Sequence, residues 1–145
     1  MDFNVGYSNT TPLITHLTYN FSHVNIWHLA LNSLAYIGVF RMLEKSIKHW
    51  KIILLSLSVA IIASFFASYD IPTMGASGMI YAMIGMWFGL VINKTLTIID
   101  KKLFLIYCLS VILMLAISFF KHNSNFLLHL YCLGLGVLTR IKQTS

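Results

Sequence analysis

A chain of 145 residues and 16.5 kDa, 58% hydrophobic, with 10 Lys and Arg against 4 Asp and Glu and a mean hydropathy of +0.79, has too few charges to cover a water-facing surface, because soluble domains carry about a quarter charged residues. A soluble enzyme, a nucleic-acid binder and a disordered tail are thereby excluded. What remains is a polytopic membrane protein, in which the net charge of +6 is a matter of topology and not a nucleic-acid footprint.

The first 25 residues, MDFNVGYSNTTPLITHLTYNFSHVN, are polar, with Pro12, four Thr and four Asn, and lack the basic start and apolar stretch of a signal peptide. They read as an outer loop or interfacial segment. Residues 3–40 contain no Lys, Arg, Asp or Glu, and uncharged runs recur over 52–69, 71–93, 103–120 and 122–139. At about 1.5 Å per residue each run is long enough for a helix that crosses a membrane. The runs lack the alternating polarity of barrel strands, and in lipid every backbone group must be satisfied within its own segment or a closed barrel. The expected fold is therefore all-α: a single membrane domain over 1–145 with five transmembrane helices at about 26–43, 52–68, 75–92, 103–120 and 125–140, without an internal repeat or linker. Cys108 and Cys132 both fall inside these spans and read as small apolar filler.

Orientation follows from the basic residues. With the amino terminus outside, the inner segments hold Arg41, Lys45, Lys48, Lys51, Lys94, Lys101, Lys102, Arg140 and Lys142, against only Lys121 outside. Nine to one is a strong positive-inside signal, and the outer segments carry Asp2, Asp70 and little else that is charged. The expected location is the cell membrane, the inner membrane of a bacterium, with the carboxyl terminus cytoplasmic.

In this topology the first, third and fifth spans run inward, and their first turns carry His28 and Asn32, then Ser77, then His129. All come to a similar depth, a turn or so below the outer surface. Polar groups in a membrane helix are costly and point to function, with interhelical hydrogen bonding as the plainer explanation. His28 and Asn32 are four apart and share a face, as do Ser77 and Tyr81. Beside the Ser77 face, Gly78, Ala82, Gly85 and Gly89 form a stripe of small residues, and on the fifth span His129 shares a face with Asn125, Cys132 and Gly136. Small residues at this spacing let helices approach closely, which would bring Ser77 and His129 together.

A serine hydroxyl is a weak nucleophile that needs a base within hydrogen-bond reach and donors aimed at the developing oxyanion. Ser77 lies in Gly75-Ala76-Ser77-Gly78, after Pro72 and at a helix start. His129 is the candidate base. The Ser77 backbone N–H, free at the helix start, and the side chains of His28 and Asn32 are the candidate donors.

The segments HVNIWHLALN, with His23, His28 and Asn32, GASGMIYAMIG, from Gly75 to Gly85, and HLYCLGLG, with His129 and Gly136, resemble the rhomboid family of intramembrane serine proteases over residues 17–138. The resemblance implies Ser77 as nucleophile and His129 as general base in a dyad without a carboxylate. It also implies His28, Asn32 and the Ser77 amide as the oxyanion hole, Tyr81 packed against His129 to orient it, and a structural role for His23. Three departures stand out. The family core has six helices, and this chain starts at what resembles the loop before the second. A truncated reading frame, a reduced natural form, or a helper protein or oligomer that supplies the helix would each account for this. Leu128 and Cys132 replace the family's usual Ala and Gly, adding volume where the two site helices should touch. The Trp-Arg pair of the first outer loop has no counterpart.

The remaining residues have plainer readings. His16, His23 and His28 are separated by gaps of 7 and 5, which do not put two ligands on one helical face, so no metal is expected, and no other cofactor. Trp27, Trp50, Trp87 and the seven tyrosines read mostly as interfacial or lipid-facing residues. His49 and the basic 41–51 loop read as cytoplasmic anchors.

The expected activity is hydrolysis of peptide bonds in transmembrane protein substrates near the outer boundary of the lipid bilayer. The alternatives are a catalytically inactive rhomboid-like protein that binds transmembrane helices, and a structural subunit of a membrane complex. For the topology, a cysteine introduced at position 8 should be labelled by an impermeant reagent added from outside, and one at position 98 should not. The reverse pattern would put the candidate site on the cytoplasmic side.

Overall fold

The computed structural model describes residues 6–67, 70, 72–96, 101–121 and 124–139. Of the charges that set the expected orientation, Asp2, Arg140 and Lys142 lie outside these residues, as do positions 98 and 140. The chain forms α1 (Thr15–Thr18), a 3-10 turn (Tyr19–Phe21), α2 (Ile26–Leu43), α3 (His49–Phe66), α4 (Ser77–Ile92), α5 (Lys101–Phe120) and α6 (Phe126–Leu138). Among the described residues the only β pairing is an isolated antiparallel bridge between Tyr7 and Thr73. The fold is an all-α membrane bundle, and its five long helices fall within a few residues of the runs marked out by charge spacing.

Local chemistry explains where the helices begin. Asn25 caps α2 by accepting the His28 N–H at 2.8 Å, and Asn125 caps α6 by accepting the Leu128 N–H at 3.0 Å. An asparagine at the N-cap satisfies one of the donors a helix start leaves unpaired. α4 has no side-chain cap; its N-cap residue is Ala76, and the chain reaches it through Gly75 at φ +119°.

Among the described residues α2, α3 and α5 are long and apolar enough to cross a membrane. The large apolar side chains of α5, among them Leu105, Leu109, Ile112 and Leu113, are exposed on the bundle surface. In water such a surface would be untenable; against lipid tails it costs nothing. α4 and α6 are shorter, 16 and 13 residues, or about 24 and about 20 Å at about 1.5 Å per residue. α4 is the axis of the bundle, packed on α2, on α3 and most extensively on α6, and buried at every position from Gly78 to Met86.

The contact between α4 and α6 is backbone on backbone. A Cβ at Gly85 would meet the Leu133 carbonyl and come within 2.9 Å of the Gly136 Cα, a Cβ at Gly136 would meet the Ala82 carbonyl, and one at Gly89 would lie 2.7 Å from the Val137 carbonyl. The small stripes on the two helices therefore face each other, and any side chain there would wedge them apart.

α5 is held differently. It packs on α6, while Phe104 and Tyr107 meet Trp87 of α4 at ring-centroid distances of 5.8 and 5.9 Å. Ser118 is the one buried residue of α5.

Two glycines on α6 separate packing from helix propensity. Gly136→Ala should destabilise the bundle by about 1 to 3 kcal/mol through overpacking. Gly134→Ala, where a Cβ meets nothing within 4 Å, should be neutral or gain up to about 1 kcal/mol from helix propensity. Thermal unfolding in detergent should move in opposite directions for the two variants, or fall for Gly136→Ala alone.

Candidate active site

Ser77 is the first residue of α4, and His129 lies in the first turn of α6. The glycine contact two turns further along both helices aligns their starts, and the Ser77 Oγ lies 2.9 Å from His129 Nε2. The phenol ring of Tyr81, one turn along α4 from Ser77, stacks on the imidazole at 4.4 Å between centroids and 24° between planes. His129 is buried, 8% exposed. Its other nitrogen, Nδ1, is 2.8 Å from the Ser118 Oγ of α5, which is in turn 2.8 Å from the Ser124 Oγ. The expected crowding by Leu128 and Cys132 does not separate the pair. Both side chains are fully buried, and the Cys132 Sγ fits into the space left by Gly78, 3.5 Å from where a Cβ would be.

The second half of the site forms around Gly75. A Cβ there would lie 2.7 Å from His28 Cε1, 3.1 Å from His28 Nε2 and 3.1 Å from Asn32 Nδ2. Two nitrogens from consecutive turns of α2 thus converge on the backbone just ahead of Ser77. Asn32 Nδ2 is buried without a hydrogen-bond partner, and a buried unpaired amide donor is costly unless it is kept for a ligand or a charge that forms in the reaction. The Ser77 N–H is one of the groups a helix start leaves unpaired. His23 presents its ring to His28 edge to face, 5.3 Å between centroids, and so braces it. The cleft over these groups measures about 610 Å³ and is open to one side, with Val24, Trp27, Met74 and Lys121 on its walls and Ser77 and His129 at its base. Lys121, the one basic residue expected outside, therefore lines the cleft.

The amino-terminal segment is more than a loop. Tyr7 exchanges backbone hydrogen bonds with Thr73 at 3.1 and 2.8 Å. Its hydroxyl donates to the Ala67 carbonyl at 3.2 Å and accepts from Asn125 Nδ2 at 2.7 Å. Tyr19 accepts the Gly75 N–H on its carbonyl at 2.9 Å and donates its hydroxyl to the Ala60 carbonyl at 3.1 Å. Burial pushes both phenols well above their ordinary range, so they act as neutral donors and acceptors. Reading the tyrosines mostly as interfacial or lipid-facing is wrong for Tyr7 and Tyr19, which are buried. Their partners are backbone carbonyls and side chains distant in sequence, so no local pattern reveals them. Ser118, Ser124 and Thr73 carry no signal in the sequence for the same reason, since single hydroxyls in apolar runs are common and usually bond to their own helix.

The family model described as the Rhomboid domain matches residues 10–143 of the chain. No curated protein and no solved structure matches it.

Gly75 combines a positive φ with close approach of two nitrogen-bearing side chains. Gly75→Ala should cost about 1 to 3 kcal/mol from backbone strain, with His28 or Asn32 displaced as well. A thermal midpoint in detergent equal to that of the unsubstituted protein would show that the cradle is looser than these distances require.

Proposed function

Because the chain belongs to the rhomboid family, we propose that this multi-pass membrane protein is an intramembrane serine endopeptidase that cuts transmembrane protein substrates near the outer face of the bilayer. The observation that carries this reading is the 2.9 Å approach of the Ser77 hydroxyl to His129 Nε2, with His28 and Asn32 converging on the preceding Gly75. A merely structural hydrogen bond would have no need of unpaired donors beside it.

In the proposed reaction Ser77 Oγ attacks the scissile carbonyl while His129 Nε2 takes its proton. The oxyanion of the tetrahedral intermediate accepts hydrogen bonds from the Ser77 N–H, His28 and Asn32. His129 then returns the proton to the leaving amine, and water, activated by the same imidazole, hydrolyses the acyl-enzyme. Tyr81 holds the imidazole plane by stacking, and the Tyr7 and Tyr19 contacts keep the Gly75 turn and the start of α6 in register. As the likeness to the rhomboid proteases implies, a substrate segment must unwind to expose its carbonyl to Ser77, which favours helix-breaking and small residues near the cut. The basic asymmetry supports an amino terminus outside and a cytoplasmic carboxyl terminus.

Ser77→Ala and His129→Ala should each abolish cleavage of a model transmembrane substrate, and the double variant should be no worse, because residues acting as one unit are strongly non-additive. Asn32→Ala should lower turnover on the order of 100- to 1,000-fold, the cost of one oxyanion donor, and His28→Ala should behave similarly. The rate should fall as pH drops through the titration of His129, since an imidazolium has no lone pair for the serine proton. Labelling by a fluorophosphonate tests nucleophile activation without the right substrate. A folded protein that takes up no probe at Ser77, or a His129→Ala variant that labels as well as the unsubstituted protein, would replace the protease with an inactive helix-binding relative.

A further inference from the structure

His129 has two ring nitrogens, and only one arrangement of protons suits a base. If Nε2 is to accept from Ser77, the proton of the neutral imidazole must be on Nδ1. The opposite tautomer would point an N–H at the serine oxygen and leave no base. A carboxylate at Nδ1 would settle the matter, since it only accepts. Among the described residues the carboxylates are engaged elsewhere: Glu44 pairs with Arg41 at 3.0 Å and His49 at 3.3 Å, and Asp70 accepts from Asn9 at 2.9 Å. The group at Nδ1 is the Ser118 hydroxyl, at 2.8 Å.

We propose that Ser118 is the positioning residue of the dyad: its oxygen accepts the His129 Nδ1–H, while its own proton is directed to Ser124 Oγ, so that the lone pair of Nε2 faces Ser77. The proposal rests on Ser77 and His129 being nucleophile and base. A hydroxyl can donate or accept, and of the two directions in which this chain of hydroxyls can run, only the one that sends the Ser118 proton to Ser124 leaves His129 a base. With Ser124 Oγ at 2.8 Å from Ser118 Oγ, the Ser118 proton has an acceptor away from the imidazole, and its oxygen lone pair is left for Nδ1. The same arrangement persists when His129 takes up the serine proton, because the imidazolium still donates from Nδ1 and no hydroxyl has to turn. Burial makes the pair matter more: His129 and Ser118 are 8% and 5% exposed, so little water competes for either group. The placement also accounts for α5, which is exposed to lipid along most of its length and buries only this serine.

The test combines a tautomer measurement with nucleophile reactivity. Protein labelled with ¹⁵N-histidine in detergent at neutral pH should show His129, assigned by its loss in His129→Ala, with the proton on Nδ1. Ser118→Ala should turn this into a mixture of tautomers and slow fluorophosphonate labelling of Ser77 on the order of 10-fold, as expected for one buried hydrogen bond. Ser118→Thr, which keeps the hydroxyl, should restore both. Ser118→Cys, similar in volume but a weak acceptor, should behave like the alanine variant and serves if that variant does not fold. A proton on Nε2 in the unsubstituted protein, or a folded Ser118→Ala with unchanged tautomer and labelling rate, overturns the proposal. If the unsubstituted protein takes up no probe while its Nδ1–H tautomer depends on Ser118, the protease reading fails and the positioning role stands.

Discussion

The separation of α4 and α6 is the constraint on which the rest of this molecule depends. Where Gly85 faces the Leu133 carbonyl and Gly136 faces the Ala82 carbonyl, no side chain intervenes, and the two backbones are in contact. Helix association in lipid lacks the hydrophobic drive it has in water, so close packing and hydrogen bonds must supply the attraction. Closely packed backbones also leave little freedom to shift. Ser77 and His129 lie on the same two helices, two turns nearer their amino-terminal ends, so their 2.9 Å hydrogen bond follows from how tightly the glycines let the helices meet.

Around that rigid pair the structure arranges polar groups at a depth where each must have a reason. The segment before α2 supplies two tyrosines that work as struts. Tyr7 joins the loop ahead of α4 to the cap of α6, and Tyr19 holds the Gly75 amide and closes over Gly78. The N-cap asparagines Asn25 and Asn125 each satisfy a helix start, and Asn125 also reaches Tyr7. The Asn32 amide, buried and unpaired beside Gly75, is a donor held at a cost.

The helices differ in how firmly they are held, and the difference has a physical origin. α4 is enclosed on α2, α3 and α6, whereas α5 meets the bundle through aromatic contacts near its amino-terminal end and one serine near its carboxy-terminal end. Its apolar residues face lipid, which receives them equally well wherever the helix lies. What fixes α5 next to the site is therefore a polar contact, and that contact is with the imidazole itself.

The sequence by itself determined the class of the molecule, the number and approximate limits of its long helices, and the identity of the residues that meet at the site. Charge spacing marks membrane helices because lipid excludes charges, and the 3.6-residue period puts His28 with Asn32, Ser77 with Tyr81, and the small residues of α4 and α6 on shared faces. The tertiary structure alone decided how close those faces come. The added volume of Leu128 and Cys132 gave reason to expect a wider gap, yet Gly78 leaves room for the cysteine sulfur, a compensation between helices that is invisible along one chain. It also decided that the polar segment before α2 folds back to brace the site, and that a serine on α5 meets His129 Nδ1. Single hydroxyls carry no periodic signal; their meaning depends on which distant group comes within about 3 Å, and only packing sets that distance.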